Sequence, residues 1–298
     1  MTVYKSGFVA VIGRPNVGKS TLVNALVGQK VAIVSSKPQT TRNRIVAVVH
    51  RDDGQLVLLD TPGLHRPKHR LGDYMVAVAR RSLEAVDAVM HVVDASAEVG
   101  PGDVHISGLL ARSEARFLLV LNKVDLLEGA DCDQAGAAYG ALARYQARFP
   151  VSALSGTGLS QLEDALFDLL PPGPRYYPED VVTDQPESFL VGELVREKVM
   201  ELTREEIPHA VASVVEEFLP RPEGSVYVRV VIYVERESQK GIIIGRGGNL
   251  LKQVGSRARS ELEALLGSAI YLDLWVKVKR DWRNQEAMLR SLGYSAKE

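Results

Sequence analysis

Eight residues, Gly13-Arg14-Pro15-Asn16-Val17-Gly18-Lys19-Ser20, have the types and spacing to hold a polyphosphate. They follow an apolar run, Phe8-Val9-Ala10-Val11-Ile12, and open into Thr21-Leu22-Val23-Asn24-Ala25-Leu26-Val27, which has helical spacing. Glycine lets backbone N–H groups come close to phosphate, and a helix start adds unpaired donors and the positive end of its dipole. In such a loop Lys19 reaches the β- and γ-phosphates and the Ser20 hydroxyl ligates Mg²⁺.

Three later segments fit the same ligand. Asp60-Thr61-Pro62-Gly63 ends an apolar run about 40 residues on, so that the Asp60 carboxylate can serve Mg²⁺ and the Gly63 N–H a γ-phosphate. Asn122-Lys123-Val124-Asp125 follows the apolar run Arg116–Leu121 and selects a base. The Asp125 carboxylate only accepts hydrogen bonds, and guanine offers two adjacent donors, N1–H and the 2-amino group. Adenine would set a lone pair against it, and a buried polar group left unpaired costs about 1–3 kcal/mol, enough to exclude ATP. Ser152-Ala153-Leu154 comes last, placed for backbone N–H groups to meet the guanine O6.

Elements must carry these segments to one place. Strand-like and helix-like runs alternate through the first half, the pattern of an α/β sheet. Arg44–His50 and Gln55–Asp60, joined by Asp52-Asp53-Gly54, predict an antiparallel hairpin. Asp87–Asp94 and Arg116–Leu121 predict buried strands, with Phe149-Pro150-Val151 as a short last one. Leu159, Leu162, Leu166, Leu169 and Leu170 form the apolar face of a closing helix, stopped by Pro171-Pro172-Gly173-Pro174. The expected fold is a mostly parallel P-loop NTPase sheet with helices on both faces over residues 1–172. A linker over 173–187 and a smaller α+β domain over 188–298 complete it.

The ordered series of phosphate loop, Thr40-Thr41, Asp60–Gly63, Asn122–Asp125 and Ser152-Ala153 resembles the guanine-nucleotide site of the translation-factor-related GTPases. The resemblance implies nucleotide contacts along Gly13–Thr21, Asp60–Leu64, Asn122–Asp125 and Ser152–Leu154. It also implies that a switch threonine, Thr41 with Thr40 as the near alternative, joins Ser20 and Asp60 on Mg²⁺. Lys19, Thr41 and Gly63 are then the catalytic set. Where small GTPases carry a water-orienting glutamine this chain has Leu64, so slow intrinsic turnover timed by a partner or an ion is expected. Asn16 occupies the position at which potassium-activated relatives ligate a monovalent cation, which brings in K⁺ as a second ion.

Past Ser188 the pattern changes to helix–strand–strand–helix–loop–helix–strand. The loop Gly245-Arg246-Gly247-Gly248 follows Gly241-Ile242-Ile243-Ile244, and a Gly-x-x-Gly turn between helices suits a nucleic-acid backbone beside an apolar groove for bases. Charge supports this. Ser188–Gln239 holds 6 Lys+Arg against 10 Asp+Glu, whereas Lys240–Arg290 holds 10 against 5. The order resembles a type II KH domain, with Lys240, Gly241, Ile242, Ile244, Gly245, Arg246, Gly247, Gly248, Lys252 and Arg257 as RNA-binding candidates. The strand near 270–279 alternates, with Tyr271, Asp273, Trp275, Lys277 and Lys279 on its second face. Aromatic residues there either stack bases or pack under a helix. Asp281–Leu292 predicts a last helix, and His65, Arg66 and His69 fall in a solvated loop.

Together the two halves resemble the Era-type GTPases, bacterial ribosome-assembly factors, over nearly the whole chain. The resemblance implies a GTP-hydrolysing switch whose GTP form binds the 3′ end of small-subunit ribosomal RNA and assists small-subunit assembly. A monomer in the cytoplasm is expected, with peripheral contact at the inner face of the cell membrane. Two other readings are a GTPase of a tRNA-modification or membrane process whose C-terminal domain serves protein contacts, and a non-enzymatic RNA-binding protein. The single cysteine, Cys132, placed in a surface loop, excludes a disulfide framework and a Cys-based metal site. The first residues lack a signal peptide's charged start and apolar core, and no apolar run approaches membrane-spanning length.

Overall fold

The computed structural model describes residues 3–64, 67–84, 86–111, 115–128 and 131–294; His65 and Arg66 lie outside these. Two compact units divide the chain, one carried chiefly by residues up to 184 and the other by 185 onward.

In the first unit β1 (Lys5–Ile12), β2 (Ile45–Arg51), β3 (Gly54–Asp60), β4 (Ala88–Asp94), β5 (Arg116–Asn122) and β6 (Ala147–Pro150) form one sheet in the order β2-β3-β1-β4-β5-β6. Only β2 runs antiparallel, paired to β3 across the expected hairpin. Helices α1 (Lys19–Val27), α2 (Arg70–Arg81), α3 (Pro101–Leu110), α4 (Asp131–Gly140) and α5 (Leu159–Leu169) cover it. Both faces of β1 are buried, which is why it reads as an unbroken apolar run. Val9 and Val11 join Leu22, Leu26, Leu162 and Leu166 on one side; Ala10 and Ile12 join Ala79, Ile106 and Leu110 on the other. Cys132 lies on α4, not in a loop, since helical spacing here is weak in the sequence and is fixed by packing.

Residues 173–184, expected as a tether, belong to this unit. The side chain of Gln55, fully buried on β3, accepts from the backbone N–H groups of Tyr176 (2.9 Å) and Tyr177 (3.0 Å) and donates to the Tyr177 carbonyl (2.8 Å). Farther along, Val48 N–H donates to the Val182 carbonyl (2.9 Å) and Thr183 Oγ1 to the Val46 carbonyl (2.7 Å), so the strap runs along β2.

The second unit contains α6 (Glu187–Leu202), α7 (Ile207–Ala210), β7 (Ala212–Pro220), β8 (Val226–Val234), α8 (Glu237–Ile244), α9 (Asn249–Leu266), β9 (Ile270–Val278) and α10 (Glu286–Ser291). Its sheet has the order β7-β8-β9, antiparallel in the first pair and parallel in the second. Val228, Val230, Ile232 and Val234 of β8 and Val254, Ala258 and Leu262 of α9 are buried. The predicted last helix is shorter than expected, because a 3-10 turn at Trp282–Asn284 precedes α10 and sinks Trp282 into the core. Among the described residues no helix is long and apolar enough to cross a membrane.

Candidate functional site

Parallel pairing puts the C-terminal ends of β1, β3, β4 and β5 at one sheet edge, where open α/β sheets bind ligands. The phosphate loop leaves β1 and closes at Gly18, whose φ of 94° is reached without strain by glycine. A Cβ at Gly18 would sit 2.3 Å from Asn122 Nδ2, so side chain and loop are in direct contact. Lys19 is buried, its Nζ donating to the carbonyls of Arg14 (2.9 Å) and Gly13 (3.3 Å). Burial lowers its pKa to about 8 against the opposing attraction of the Asp60 charge.

Ser20, Thr41 and Asp60 converge. Ser20 Oγ donates to Asp60 Oδ2 at 2.7 Å and lies 2.8 Å from Thr41 Oγ1, which is itself 3.4 Å from Asp60 Oδ2. Thr40 is turned away, its hydroxyl donating to the Lys37 carbonyl (2.7 Å), so Thr41 is the threonine of the cluster. Asp60 is fully buried and its pKa is raised by desolvation, opposed first by Lys19. Its Oδ1 is buried without a hydrogen-bond partner. All the converging donors are oxygens, the set a small hard cation prefers, and the orphaned Oδ1 leaves room for a ligand bond. The site fits Mg²⁺.

The base end is built around Asn122, which is 2% exposed. Its Nδ2 donates to the Val17 carbonyl (2.9 Å) and its Oδ1 accepts from the Ala153 N–H (3.0 Å), tying three loops together. Lys123 adopts a left-handed conformation (φ 68°) and pairs with Asp94 at 2.5 Å. Asp125 is exposed beyond Val124. The Ser152 N–H donates to the Thr157 carbonyl and that of Ala153 to Asn122, which leaves the Leu154 amide as the donor of the tripeptide with no acceptor among the described residues. Of the other expected residues, Val17, Thr61 and Pro62 are buried and shape the loops, with Thr61 Oγ1 donating to the Val11 carbonyl (2.8 Å). Leu64 is 5% exposed and its N–H donates to the Gly13 carbonyl (3.3 Å); an apolar side chain packed inward cannot orient water. Pro15, Asn16, Gly63 and Thr21 border the same loops, with Asn16 exposed in a left-handed conformation.

The structure corrects one expected nucleotide contact, the Arg14 side chain, and shows two residues that sequence reasoning passed over, Asn24 and Asp94. The Arg14 side chain does not face the phosphate position but pairs with the buried Asp103 of α3 (2.9 Å), anchoring the loop from behind. Asn24 Oδ1 accepts from Val31 and Ala32 N–H groups while its Nδ2 donates to the Ala32 carbonyl, fixing the chain after α1. Asp94 holds Lys123. Only Asp94 had a usable signal: it ends a strand in register with Asn122.

In the second unit Gly245–Gly248 joins α8 to α9. Gly245 (φ 72°, ψ 173°) occupies a region closed to other residues, and a Cβ there would lie 2.9 Å from Leu250 Cβ. Arg246 and Gly247 are exposed at the tip and Gly248 is half-buried. Beside them Gly241 and Ile242 are exposed while Lys240 and Ile244 are half-buried, which gives the apolar flank a base groove needs. Lys252 and Arg257 follow on α9, Arg257 in a loose 3.9 Å pair with Glu201. Lys240, Arg246, Lys252 and Arg259 have no carboxylate partner among the described residues.

Phosphate loop, oxygen cluster and guanine-selective loop on this sheet define a P-loop GTPase, and the second unit has the element order of a type II KH domain. A family profile described as "50S ribosome-binding GTPase" matches residues 8–123, and one described as "KH domain" matches 206–283. GTPase Era of Carboxydothermus hydrogenoformans is 51% identical over 293 residues, covering 98% of both chains. Two solved structures, each 40% identical and covering 98% of this chain and 99% of theirs, superpose closely. They are a point variant of Aquifex aeolicus Era bound to GDP·AlF4⁻ (TM-score 0.92) and Era in complex with MgGDPNP and nucleotides 1506–1542 of 16S ribosomal RNA (TM-score 0.93). The chain belongs to the Era family of GTPases.

Proposed function

We propose that this GTPase works as a nucleotide-gated RNA clamp in small-subunit assembly: its GTP form holds the 3′ end of small-subunit ribosomal RNA on the Gly245–Gly248 loop, and hydrolysis releases it. The convergence of Thr41, on the chain segment between α1 and β2, with Ser20 and Asp60 carries the reading, because it makes one loop's position depend on the ligand. The likeness to the Era complex with MgGDPNP and the 16S fragment supplies the RNA class.

Lys19, charged below its lowered pKa, would neutralise the β- and γ-phosphates, with the Gly63 N–H and the Thr41 hydroxyl at the γ end. Ser20, Thr41 and Asp60 would hold Mg²⁺, which would supply charge neutralisation to the phosphates. Once the γ-phosphate has gone, Thr41 and Gly63 lose their partner and the loops relax. Leu64 cannot position the attacking water, so we assign that task to an ion or partner and propose K⁺ at Asn16. Equal hydrolysis rates in potassium and sodium buffers at matched ionic strength would remove the ion.

RNA crosslinking with sequencing on GTP-loaded and GDP-loaded protein tests the whole reading. Reads concentrated at the 3′ end of 16S rRNA in the GTP sample alone are expected; identical maps in both samples would overturn the gating. The protein is also proposed to be a monomer in the cytoplasm with peripheral membrane contact, which light scattering and cell fractionation check.

A further inference from the structure

Lys19 and Gly63 both rest on one short stretch of backbone, Gly13–Pro15. Lys19 Nζ donates to the Gly13 and Arg14 carbonyls, and the Leu64 N–H donates to the Gly13 carbonyl. A Cβ at Gly63 would lie 2.7 Å from Pro15 N, so Gly63 lies directly against the phosphate loop. That contact marks Gly13–Pro15 as the γ-phosphate end of the loop. The far end is held separately, by Asn122 on the Val17 carbonyl. The near end is tied back by the Arg14 side chain.

Arg14 reaches to the start of α3. A Cβ on Gly100 would meet Arg14 Nη1 at 3.0 Å and one on Gly102 would meet its Cδ at 2.8 Å, so the two glycines leave a slot that the arginine fills. In the slot Arg14 Nε lies 2.9 Å from Asp103 Oδ1. Asp103 is fully buried in the first turn of α3, and its Oδ2 accepts from the Gly100 N–H (2.9 Å). Ile106 and Leu110 of the same helix are buried with Ala10 and Ile12 of β1, which makes the carboxylate a post fixed to the sheet. The Nε–Oδ1 contact has the distance of a hydrogen bond without its alignment, so charge holds it, and burial strengthens that attraction. Pro15, its φ locked by the ring, carries any shift of Arg14 to the Gly63 contact. Displacing a catalytic group by about 1 Å can cost about 100-fold in rate. We propose that Asp103 is a positioning residue for GTP hydrolysis: through Arg14 it sets Lys19 and Gly63 against the γ-phosphate without touching the nucleotide. The role rests on the γ-end places given to Lys19 and Gly63 above.

The test measures single-turnover hydrolysis of bound GTP, and GDP affinity by calorimetry, on the full-length parent and Asp103→Asn. Asparagine keeps an acceptor for the Gly100 N–H and removes the charge that holds Arg14. Hydrolysis slowed about tenfold with GDP affinity within about threefold is expected, because GDP lacks the phosphate that Gly63 meets. Hydrolysis within about twofold of the parent overturns the proposal. So does a loss of GDP affinity as large as the loss of rate, which would make Asp103 a general support of the loop. Arg14→Gln should slow hydrolysis equally, and the double variant Arg14→Gln/Asp103→Asn no further than either change alone; losses that multiply would mean that the two act separately, against the proposal. Should thermal unfolding show Asp103→Asn damaged, Arg14→Lys takes its place, keeping the positive charge at a partly exposed position. It should slow hydrolysis less than about threefold where Arg14→Gln slows it about tenfold, and equal slowing by both overturns the proposal. Lys19→Ala separates the two readings: hydrolysis at the parent rate refutes the phosphate roles and this one with them, whereas a slow Lys19→Ala beside an unaffected Asp103→Asn refutes the positioning role alone.

Discussion

Truncating Asn122 to alanine tests whether one side chain sets the spacing between phosphate and base. The change removes a donor from the Val17 carbonyl and an acceptor from the Ala153 N–H, both in a site where Asn122 is 2% exposed. Two hydrogen bonds contribute a net of about 1 kcal/mol each, and each partner left dry costs about 1–3 kcal/mol instead. A water entering the vacated space would satisfy part of this, so the loss spans about 2–4 kcal/mol, or roughly 30- to 1,000-fold in affinity. Calorimetric titration with GTP, GDP and guanosine measures it. Because the tie joins the phosphate loop to the Ser152–Leu154 loop, all three ligands should weaken, whereas Asp125→Ala should weaken them through the base alone. GTP binding within threefold of the parent, at unchanged thermal stability, would refute the claim that Asn122 holds the two ends in register.

Three more changes have outcomes set by the geometry. Asp125→Asn replaces an acceptor-only carboxylate with an amide, so GTP affinity should fall about 10- to 100-fold and xanthosine triphosphate should become the better ligand, measured by competition. His91 is fully buried against Tyr145 OH (2.7 Å), and desolvation, then the Lys19 and Arg14 charges, lowers its pKa from 6.5 to about 4. The unfolded chain takes up that proton first, so the stability is complete above pH 6.5 and is lost as pH falls toward 4. Between pH 6.5 and 5 this amounts to about 2 kcal/mol, which denaturant unfolding should find in the parent and not in His91→Gln. Gly245→Ala forces a Cβ into a closed backbone region at about 1–3 kcal/mol, so melting temperature and oligonucleotide affinity should both drop while GTP hydrolysis stays near the parent rate.

The motifs that bind phosphate and base were legible because covalent spacing alone puts them at the ends of parallel strands; Asp60 and Asn122 each end a strand by rule. Thr41 could not be separated from Thr40 by spacing. Only the fold shows that one hydroxyl reaches Ser20 while its neighbour turns back on Lys37. Arg14 with Asp103, and Asn24 with Val31 and Ala32, depend on loop paths that no periodicity encodes. The Pro-rich stretch from Pro171 misled for a related reason. Its composition signals a break in the helix correctly, but the acceptor that captures it, Gln55, lies 121 residues away from Tyr176. On β9 the alternation was clear, yet whether Tyr271 and Trp275 met a helix or solvent was a tertiary fact.

The strap along β2 bears on where the first unit can be cut. A strand at the margin of a sheet exposes a row of unpaired amides and carbonyls that invites another chain to add on. Here Val182 and Thr183 occupy Val48 and Val46, and Tyr176 and Tyr177 cap an otherwise dry glutamine. A fragment ending at residue 172 would therefore keep every nucleotide-facing loop and still be prone to self-association. One ending at residue 184 would carry its own seal.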